Sequence, residues 1–369
     1  MTRTFRRVAL LSPYSLYVPG GVQEQVLSMS RALAHHDLEV TVLTPGPARG
    51  ALDTPAEVVA LGRARSVPAN GSRAPLALRA RDQRDALEAL TRRSVDVVHL
   101  HEPFAPRLGW GVVEAHRSAL LATFHRSGVG LDVRLAGPWL RRRARQLDVV
   151  TAVSRSAAEL AEHYGLHPEV LYNGFDLERF TEFARVRHEQ STLVFVGRLE
   201  ARKGVDTVID AVLEHNRVAR AGWRLVVLGD GPEGSSLRRR AKGSPDIEFL
   251  GRVDDETKRR WWRSADVALA PSRYGESFGL VILEAMAAGT RIVASDIPGY
   301  REAAGGHAVL ARPDDVAAWI TAISHALATR DSQTLDAARR HAQGWSMNGL
   351  VERYLELYDV AIRRRAALR

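Results

Sequence analysis

Short segments rich in β-branched residues alternate with longer amphipathic segments along most of this 369-residue chain. In the first half, the short segments are residues 8–11, 40–43, 95–99, 120–123 and 149–153, and the clearest helical patterns are residues 22–34 and 156–164. In the second half the same alternation resumes, and its short segments are residues 193–196, 225–228, 247–250, 267–270 and 292–294. Alternation of this kind predicts an α/β architecture, with parallel sheets covered by helices on both faces.

A polar stretch with few strand-forming residues, 176–190, separates the two series of segments. We therefore predict two doubly wound domains, residues 1–180 and residues 181–347, each long enough to bury its own core. Ligands of open α/β sheets bind at the carboxyl ends of the strands, so we expect the active site in a cleft that the two domains share.

The composition excludes several classes of protein. Cysteine is absent, so there are no disulfides and no thiolate metal sites. No run approaches the ~20 apolar residues of a membrane-spanning helix. The basic residues 3–7 precede an apolar run at residues 8–11, which is too short for a signal peptide. We expect a cytoplasmic protein without a targeting segment.

Arginine gives the chain a net charge of +9, and the charge is concentrated in two stretches. One extends from Arg73 to Arg93 and the other from Arg134 to Arg145, where Trp139 adds the aromatic character of an interfacial helix. We expect these stretches to bind an anionic phospholipid membrane surface. A solvated arginine face would give the same pattern. Nucleic acid is not expected as a partner, because RNP-like aromatics and zinc-finger spacing are absent.

The run from Tyr274 to Thr290 carries the strongest functional signal. Glu276 and Glu284 flank a short, mainly apolar segment that predicts the start of a helix. Backbone N–H groups of Ser277, Phe278 and Gly279 would then be available to a phosphate. Along a helix the two carboxylates would lie ~12 Å apart, a separation that suits a nucleoside diphosphate sugar. An ordinary amphipathic helix with solvated glutamates remains the alternative.

This run resembles the E-x7-E element of retaining glycosyltransferases of family 4, two-domain enzymes of the GT-B type. Matching pieces are spread over nearly the whole chain, and they look most like phosphatidylinositol mannosyltransferases. They are Pro13-Tyr14-Ser15, Val18-Pro19-Gly20-Gly21-Val22-Gln23, His101-Glu102-Pro103 with Ala105-Pro106, Ala122-Thr123-Phe124-His125, Gly197-Arg198 with Arg202-Lys203-Gly204, and Gly251 with Val253-Asp254-Asp255. The resemblance implies two Rossmann-like domains and a last helix, residues 348–369, that crosses back to the first domain.

The resemblance also implies roles for individual residues. Four would be catalytic: His125 beside the donor hexose, Arg198 and Lys203 on the departing diphosphate, and Glu276 on the sugar. Donor-binding residues would be Gly20, Gly21, Val253, Asp255, Lys258, Ser277, Phe278, Gly279, Leu280 and Glu284, with Glu284 on the ribose. Acceptor-binding residues would be Tyr14, Gln23, Asn70 and Arg73. Taken without the resemblance, Arg198 and Lys203 could be surface cations and His125 a structural histidine.

The implied activity is transfer of a hexose, mannose from GDP-mannose, to phosphatidylinositol at the inner membrane face. Tyr17 stands where the mannosyltransferases commonly have Asp, and Phe104 occupies a position that is often polar in them. These departures keep open a family 4 transferase that uses a UDP- or ADP-linked sugar and a soluble acceptor. A non-catalytic surface-binding protein is a further alternative, disfavoured because both carboxylates and both phosphate cations are present together.

Two other patterns have weaker functional readings. Gly229-x-Gly231-x-x-Gly234 satisfies the dinucleotide fingerprint, but Pro232 lies inside it and family members show a similar turn without binding NAD. His99, His101 and Glu102 form a string without a further metal ligand, which favours a structural or acceptor-side role. We therefore predict neither a cofactor nor a resident metal, with Mg²⁺ left open.

Overall fold

Two parallel sheets, one in each half of the chain, confirm the predicted α/β architecture. The computed structural model describes residues 4–18, 20–46, 52–69, 72–77, 79–105, 108–115, 117–126, 139–219, 221–276, 279–329 and 331–368. The chain forms two units: Met1–Phe175 with Met347–Arg369, and Asp176–Ser346.

The first unit contains a parallel sheet and a separate antiparallel hairpin. Its strands are β1 Arg7–Leu11, β2 Glu39–Thr44, β3 Glu57–Ala60, β4 Arg65–Ala69, β5 Ser72–Leu76, β6 Val97–His101, β7 Ala119–Phe124, β8 Val149–Ala152 and β9 Glu169–Val170. Among the described residues, the parallel strands follow the order β3-β2-β1-β6-β7-β8-β9, and β4 pairs with β5 in the hairpin. Leaving the hairpin aside, this is the doubly wound order of a Rossmann-like sheet.

Helices cover both faces of this first sheet. They are α1 Gly21–Ala34, α2 Ala80–Arg92, α3 Leu108–Ala115 and α4 Arg155–His163, and residues 139–144 are also helical. Helix α1 buries Val26, Met29 and Leu33 on one face of the sheet. Helices α2 and α3 bury Leu90 and Val112 on the other face. Two covered faces explain why the central strands are continuous apolar runs.

The second unit repeats this architecture with a six-stranded sheet. Its strands are β10 Ser191–Val196, β11 Trp223–Leu228, β12 Ile247–Gly251, β13 Val267–Ala270, β14 Arg291–Ser295 and β15 Val309–Ala311. Its helices are α5 Val205–Val218, α6 Gly234–Arg240, α7 Asp255–Ser264, α8 Leu280–Ala287, α9 Pro298–Ala304, α10 Val316–Ala328 and α11 Ser332–Gln343. The strand order β12-β11-β10-β13-β14-β15 is again that of a Rossmann-like sheet.

The last helix, α12 Met347–Ala367, belongs to the first unit, as the resemblance implies. It buries Val351, Tyr354 and Tyr358 in the same core as helix α1. Near its end, Arg365 Nη2 lies 2.8 Å from the buried carboxylate of Asp148, so the helix is held by charge as well as by apolar contact. Among the described residues, none of the helices combines the length and the apolar character needed to cross a membrane.

The unit boundaries differ from the predicted ones by a few residues. The 3₁₀ turn Glu178–Phe180 was assigned to the first domain, but Arg259 of α7 donates to the carbonyl of Arg179 across 3.4 Å. The turn therefore belongs to the second unit. Met347 was assigned to the second domain, yet its side chain is buried in the first core and its N–H donates to Phe175 O across 2.9 Å.

The strand predicted at residues 95–99 begins and ends two residues later, at Val97–His101. The carboxylate of Asp96 accepts the backbone N–H groups of Arg6 and Arg7, at 2.9 and 2.8 Å, so Asp96 caps the sheet edge before the strand begins. Because side chains alternate along a strand, the shift places His99 and His101 on the same face of β6.

Candidate active site

The segment around Glu276 differs in one respect from its prediction. Helix α8 begins only at Leu280, after Gly279 adopts a left-handed conformation with φ of 65°. The ~12 Å estimate assumed a helix running continuously from Glu276 to Glu284, whereas the helix of the structure contains only the second of these carboxylates. Gly279 is buried and Leu280 half-buried, whereas Ser277 and Phe278 lie outside the described residues.

Glu276 brings two cations together. Its Oε1 accepts a hydrogen bond from Arg202 Nη1 at 2.8 Å, another from Ser272 Oγ at 3.2 Å, and a short one from Lys203 Nζ. The carboxylate and the ammonium are both largely buried, at 14% and 15% exposure. Charge-assisted hydrogen bonds of this kind are among the stronger interactions of protein interiors. From the sequence, Lys203 was expected on the departing diphosphate and Glu276 on the sugar. The structure joins the two side chains in one ion pair.

Arg198 joins the same group through a second carboxylate. Glu200 lies 3.1 Å from Arg198 Nε through one oxygen and 3.0 Å from Arg202 Nε through the other. Burial alone would lower the pKa of Arg202, but Glu276 and Glu200 outweigh that effect and raise it. We call Arg198, Glu200, Arg202, Lys203 and Glu276 the charged cluster. Three cations and two carboxylates leave it one positive charge in excess, which suits an anionic ligand.

Sequence reasoning missed Arg202 and Glu200 as site residues. Arg202 stands in the Arg202-Lys203-Gly204 piece, in which only Lys203 was given a role, and Glu200 precedes that piece by two positions. The available signal was the alternation of charge sign at every second residue from Arg198 through Glu200 to Arg202, but that pattern is also typical of a solvated turn.

A second carboxylate–cation group lies between helices α7 and α8. Lys258 Nζ is 2.9 Å from Glu284 Oε1 and 2.9 Å from Asp255 Oδ1. Trp262 Nε1 donates to the other oxygen of Glu284 at 3.1 Å. Burial opposes the charge on Lys258, but the two carboxylates outweigh it and raise the lysine pKa above its ordinary value. Val253, half-buried, precedes α7.

Gly20 and Gly21 stand at the start of helix α1. Gly20 is the N-cap, and a Cβ at this position would meet Gln23 Oε1 at 2.3 Å. A Cβ on Gly21 would meet nothing within 4 Å, so the space beside the first helical residue is open. Orphan N–H groups at a helix N-terminus favour an anion. Gln23 itself is largely buried and folds back over Gly20 instead of projecting away from the helix.

The predicted acceptor-side residues are only partly described. Tyr14 forms an isolated antiparallel bridge with Leu76 of β5, which ties the hairpin to the loop after β1. Burial, with a smaller effect of Glu102, raises the pKa of Tyr14. Arg73 lies in β5. Its side chain, like the whole of Asn70, is outside the described part of the chain.

His125 follows β7 and is in contact with a second histidine. Its Nε2 lies 2.9 Å from His101 Nδ1, and the ring of His101 stacks on His99 with 4.4 Å between centroids. His99 is hydrogen-bonded to Tyr358 Oη at 2.8 Å and to Thr123 Oγ1 at 2.6 Å. We call His99, His101 and His125 the histidine cluster. Burial lowers the pKa of His99 and His125 to about 3 and lowers that of His101 as well.

Glu102 holds the backbone that carries His125. Its Oε1 accepts the N–H of His125 at 2.6 Å and, through a shorter bond, that of Arg126. Burial raises the pKa of Glu102, although these two hydrogen bonds oppose the shift. The residue has φ of 53°, a conformation uncommon for a residue with a side chain. Within the described residues, no group of three or more His, Asp or Glu could hold a metal ion.

The Gly229-x-Gly231 turn has a structural explanation. A Cβ on Gly229 would meet Gly197 O at 1.8 Å, and one on Gly231 would meet Leu199 O at 2.4 Å. Leu199 also donates its N–H to Asp230 O at 3.0 Å. The glycines therefore allow this turn to lie against residues 197–199, which carry Arg198.

Comparison with known proteins decides the family. Residues 19–179 match the family described as Glycosyltransferase Family 4, and residues 190–329 match that described as Glycosyl transferases group 1. A phosphatidyl-myo-inositol mannosyltransferase of Mycobacterium tuberculosis is 35% identical over 324 residues, covering 85% of this chain and 84% of that relative. The chain belongs to glycosyltransferase family 4.

Two further proteins are similar to this glycosyltransferase. A D-inositol 3-phosphate glycosyltransferase of Geodermatophilus obscurus is 32% identical over 308 residues, covering 74% of this chain and 68% of the relative. The structure of Anabaena HepE in complex with UDP and glucose has a TM-score of 0.69 at 18% identity, covering 95% of this chain and 99% of that one. The latter likeness supports the GT-B fold, with two Rossmann-like units.

The two basic stretches of the glycosyltransferase differ. In the first, Arg81, Arg92 and Arg93 each lie within 4.0 Å of a carboxylate. In the second, Trp139 is 42% exposed and stacks under the guanidinium of Arg143, with 3.4 Å from its central carbon to the ring centroid. Arg141, Arg142 and Arg145 are exposed beside it, and residues 134–138 lie outside the described part of the chain.

Proposed function

We propose that this glycosyltransferase transfers mannose from GDP-mannose to phosphatidylinositol, with retention of the anomeric configuration, at an anionic membrane surface on the cytoplasmic side. The observation that carries the proposal is the 35% identity to a phosphatidyl-myo-inositol mannosyltransferase over 85% of the chain. The charged cluster supports it, because its cation excess suits a diphosphate leaving group.

In the proposed reaction the acceptor hydroxyl attacks the anomeric carbon from the face on which the diphosphate leaves. The bond from the anomeric carbon to the phosphate oxygen breaks, the new glycosidic bond forms, and the hydroxyl proton passes to the departing phosphate. Lys203 and Arg198 would stabilise the negative charge that grows on the leaving group. Glu276 would keep Lys203 in place and accept a hydrogen bond from the sugar. No cofactor is needed for this chemistry.

The surface formed by Trp139, Arg141, Arg142 and Arg145 supports a membrane-bound acceptor. An exposed indole ring with exposed guanidinium groups around it is typical of interfacial segments. Each arginine near an anionic leaflet contributes on the order of 1 kcal/mol. Exchange of Arg142 and Arg145 for alanine should therefore weaken binding to phosphatidylinositol-containing vesicles roughly 30-fold in flotation.

A double variant of Arg217 and Arg239, both exposed in the second unit, is the matched control, since it removes the same charge elsewhere. Equal loss of vesicle binding in both double variants would mean that net charge, and not this surface, attracts the membrane.

A second candidate is a family 4 transferase with a soluble acceptor and a UDP- or ADP-linked donor. The side chain of Phe104 has no polar group that could bind an inositol. Its ring packs among other aromatic rings, 4.7 Å from that of Tyr164 and 5.7 Å from that of Phe124. The ring of Tyr17 packs closely against Gly46. A Cβ on Gly46 would lie 2.6 Å from this ring. The similarity to a D-inositol 3-phosphate glycosyltransferase favours a phosphorylated inositol as this alternative acceptor.

Thermal-shift measurements with GDP, UDP, ADP and their hexose conjugates test the donor. A ligand that binds only the folded protein raises Tm by mass action. We expect GDP and GDP-mannose to raise it, and radiolabelled mannose to appear in phosphatidylinositol vesicles. A shift with UDP or ADP sugars alone, together with transfer to free inositol phosphate, would replace the proposal with the second candidate.

A further inference from the structure

His101, the last residue of β6, and Glu102, which follows it, hold His125 in two independent ways. Glu102 accepts the backbone N–H of His125 at 2.6 Å and that of Arg126, so it determines where the chain goes after β7 ends. Its own N–H donates to Thr123 O at 2.9 Å, which continues the pairing of β6 with β7. His101 contacts the ring of His125, with 2.9 Å between His101 Nδ1 and His125 Nε2.

The chemistry of imidazole restricts this contact to two arrangements. A neutral imidazole has one protonated and one unprotonated nitrogen, so a single proton lies between the two rings. If His101 Nδ1 donates, His101 Nε2 is left as a lone pair and His125 carries its proton on Nδ1. If His125 Nε2 donates, His101 Nε2 must carry a proton, and His125 Nδ1 becomes an acceptor.

The surroundings of His101 favour the first arrangement. His101 is fully buried, and its Nε2 has no hydrogen-bond partner among the described residues. A buried N–H without an acceptor is rarer in proteins than an acceptor without a donor. Burial also keeps the rings neutral, because it lowers the pKa of His125 to about 3 and that of His101 below its ordinary value.

We propose that His101 and Glu102 are positioning residues for His125, which they hold as a neutral ring that donates from Nδ1 to an oxygen of the ligand. Glu102 positions the backbone, and His101 selects the tautomer. In the described part of the chain Nδ1 of His125 has no hydrogen-bond partner, so the donor is available. The oxygen would be a hydroxyl or phosphate oxygen of the nucleotide sugar, an identification that rests on the proposed function.

The direct test is ¹⁵N nuclear magnetic resonance of histidine-labelled full-length protein at pH 7.5, with the His125 signals identified by their loss in His125→Gln. We expect Nδ1 to be protonated and Nε2 unprotonated. Protonation of His125 at Nε2 in the wild-type protein would overturn the proposal whatever the enzyme transfers.

Variants separate positioning from general stability. His101→Leu removes the donor, and we expect it to abolish the fixed tautomer and to lower kcat/KM about 10- to 100-fold, mainly through kcat. His101→Asn places an amide N–H near the position of Nδ1 and should restore both the tautomer and kcat/KM to within several-fold of the wild-type protein.

Glu102→Gln keeps an acceptor oxygen for the two N–H groups and should retain most activity, whereas Glu102→Ala should lose activity as His101→Leu does.

Tyr358→Phe is the matched control, because it removes the hydrogen bond to His99 without touching the contact between His101 and His125. We expect it to leave the tautomer and kcat/KM unchanged within about twofold. His101→Leu with wild-type kcat/KM, or Tyr358→Phe with an equal loss, would contradict the proposal. Failure of the wild-type protein to transfer any sugar would instead contradict the proposed function, and the tautomer would still decide the positioning roles.

Discussion

The charged cluster and the histidine cluster both follow strands of Rossmann-like sheets, yet they have opposite electrostatic character. In the charged cluster, carboxylates lie about 3 Å from guanidinium groups, and Arg198 is 60% exposed. In the histidine cluster, burial keeps the rings neutral, and each contact joins uncharged groups. Solvent stabilises the charged groups of a partly exposed cluster. A buried site, in contrast, tolerates polar groups only when they are neutral or paired.

This difference suggests what each region does. A partly exposed cluster with an excess cation is suited to attract and release an anion. A buried, neutral cluster is suited to orient one hydrogen-bonding group with little motion. The comparison predicts that changes in the charged cluster affect catalysis most, and that changes in the histidine cluster affect stability and orientation.

The largest effect is expected for Glu276→Ala, which leaves Lys203 and Arg202 without their shared carboxylate. We expect sugar transfer to fall at least about 10³-fold, equivalent to about 4 kcal/mol, through loss of electrostatic positioning. Steady-state transfer from the nucleotide sugar that stabilises the protein is the measurement. Circular dichroism and Tm check that the variant is folded.

Glu256→Ala is the control for this variant. Glu256 pairs with Arg260 at 2.7 Å on the exposed face of α7, where an ion pair contributes at most about 1 kcal/mol. Wild-type turnover in Glu276→Ala would remove the reason for calling the charged cluster catalytic.

The pH dependence of stability should distinguish the two regions next. The pKa values of the histidine cluster are lowered in the folded state, so below about pH 6.5 the unfolded chain binds protons that the folded chain does not. The contribution of the histidine cluster to the free energy of unfolding is therefore fully present above this pH and is lost as the pH falls. Each histidine would contribute on the order of 1 kcal/mol between pH 7.5 and 5.5, and the three together roughly 4 kcal/mol.

Hydrogen exchange resolved by peptide measures this effect, after correction for the intrinsic pH dependence of exchange. Amides of β6 and β7 should lose protection between pH 7.5 and 5.5, whereas those of β10 and β11 should change much less. Equal loss in the two sheets would show that the histidine cluster is not the source.

The smallest effect is expected from removing one hydroxyl in each region. Tyr300 Oη donates to Ser272 Oγ at 2.8 Å, and Ser272 in turn contacts Glu276. Tyr358 Oη contacts His99 instead. Each Tyr→Phe change should lower the free energy of unfolding by about 1 kcal/mol, the usual contribution of a hydrogen bond.

Only Tyr300→Phe should also lower kcat, by a few-fold, because only this hydroxyl supports Glu276. Urea denaturation and steady-state kinetics on the two variants give the comparison. A larger kcat loss in Tyr358→Phe than in Tyr300→Phe would reverse the roles assigned to the two regions.

Much of the fold could be predicted from the sequence because buried parallel strands are continuous apolar runs. The segments at 193–196, 225–228 and 267–270 agree with β10, β11 and β13 to within two residues at either end. Edge strands β3, β9 and β15 were missed, since they have only four, two and three residues, too few for a clear strand pattern. The hairpin was missed as well, because Pro68 and Pro75 interrupt its strand pattern.

By itself, the sequence determined the alternation that makes two Rossmann-like sheets, the place of glycine at the start of α1, and the residue types that suit a nucleotide sugar. These are local properties, because periodicity and backbone freedom act over a few neighbouring residues. Only the tertiary structure decided that Lys203 and Arg202 share Glu276, 73 and 74 positions away along the chain, and that His101 contacts His125 across two strands. Such contacts depend on strand order and register, which no local pattern contains, and they also set the burial that keeps the histidines neutral.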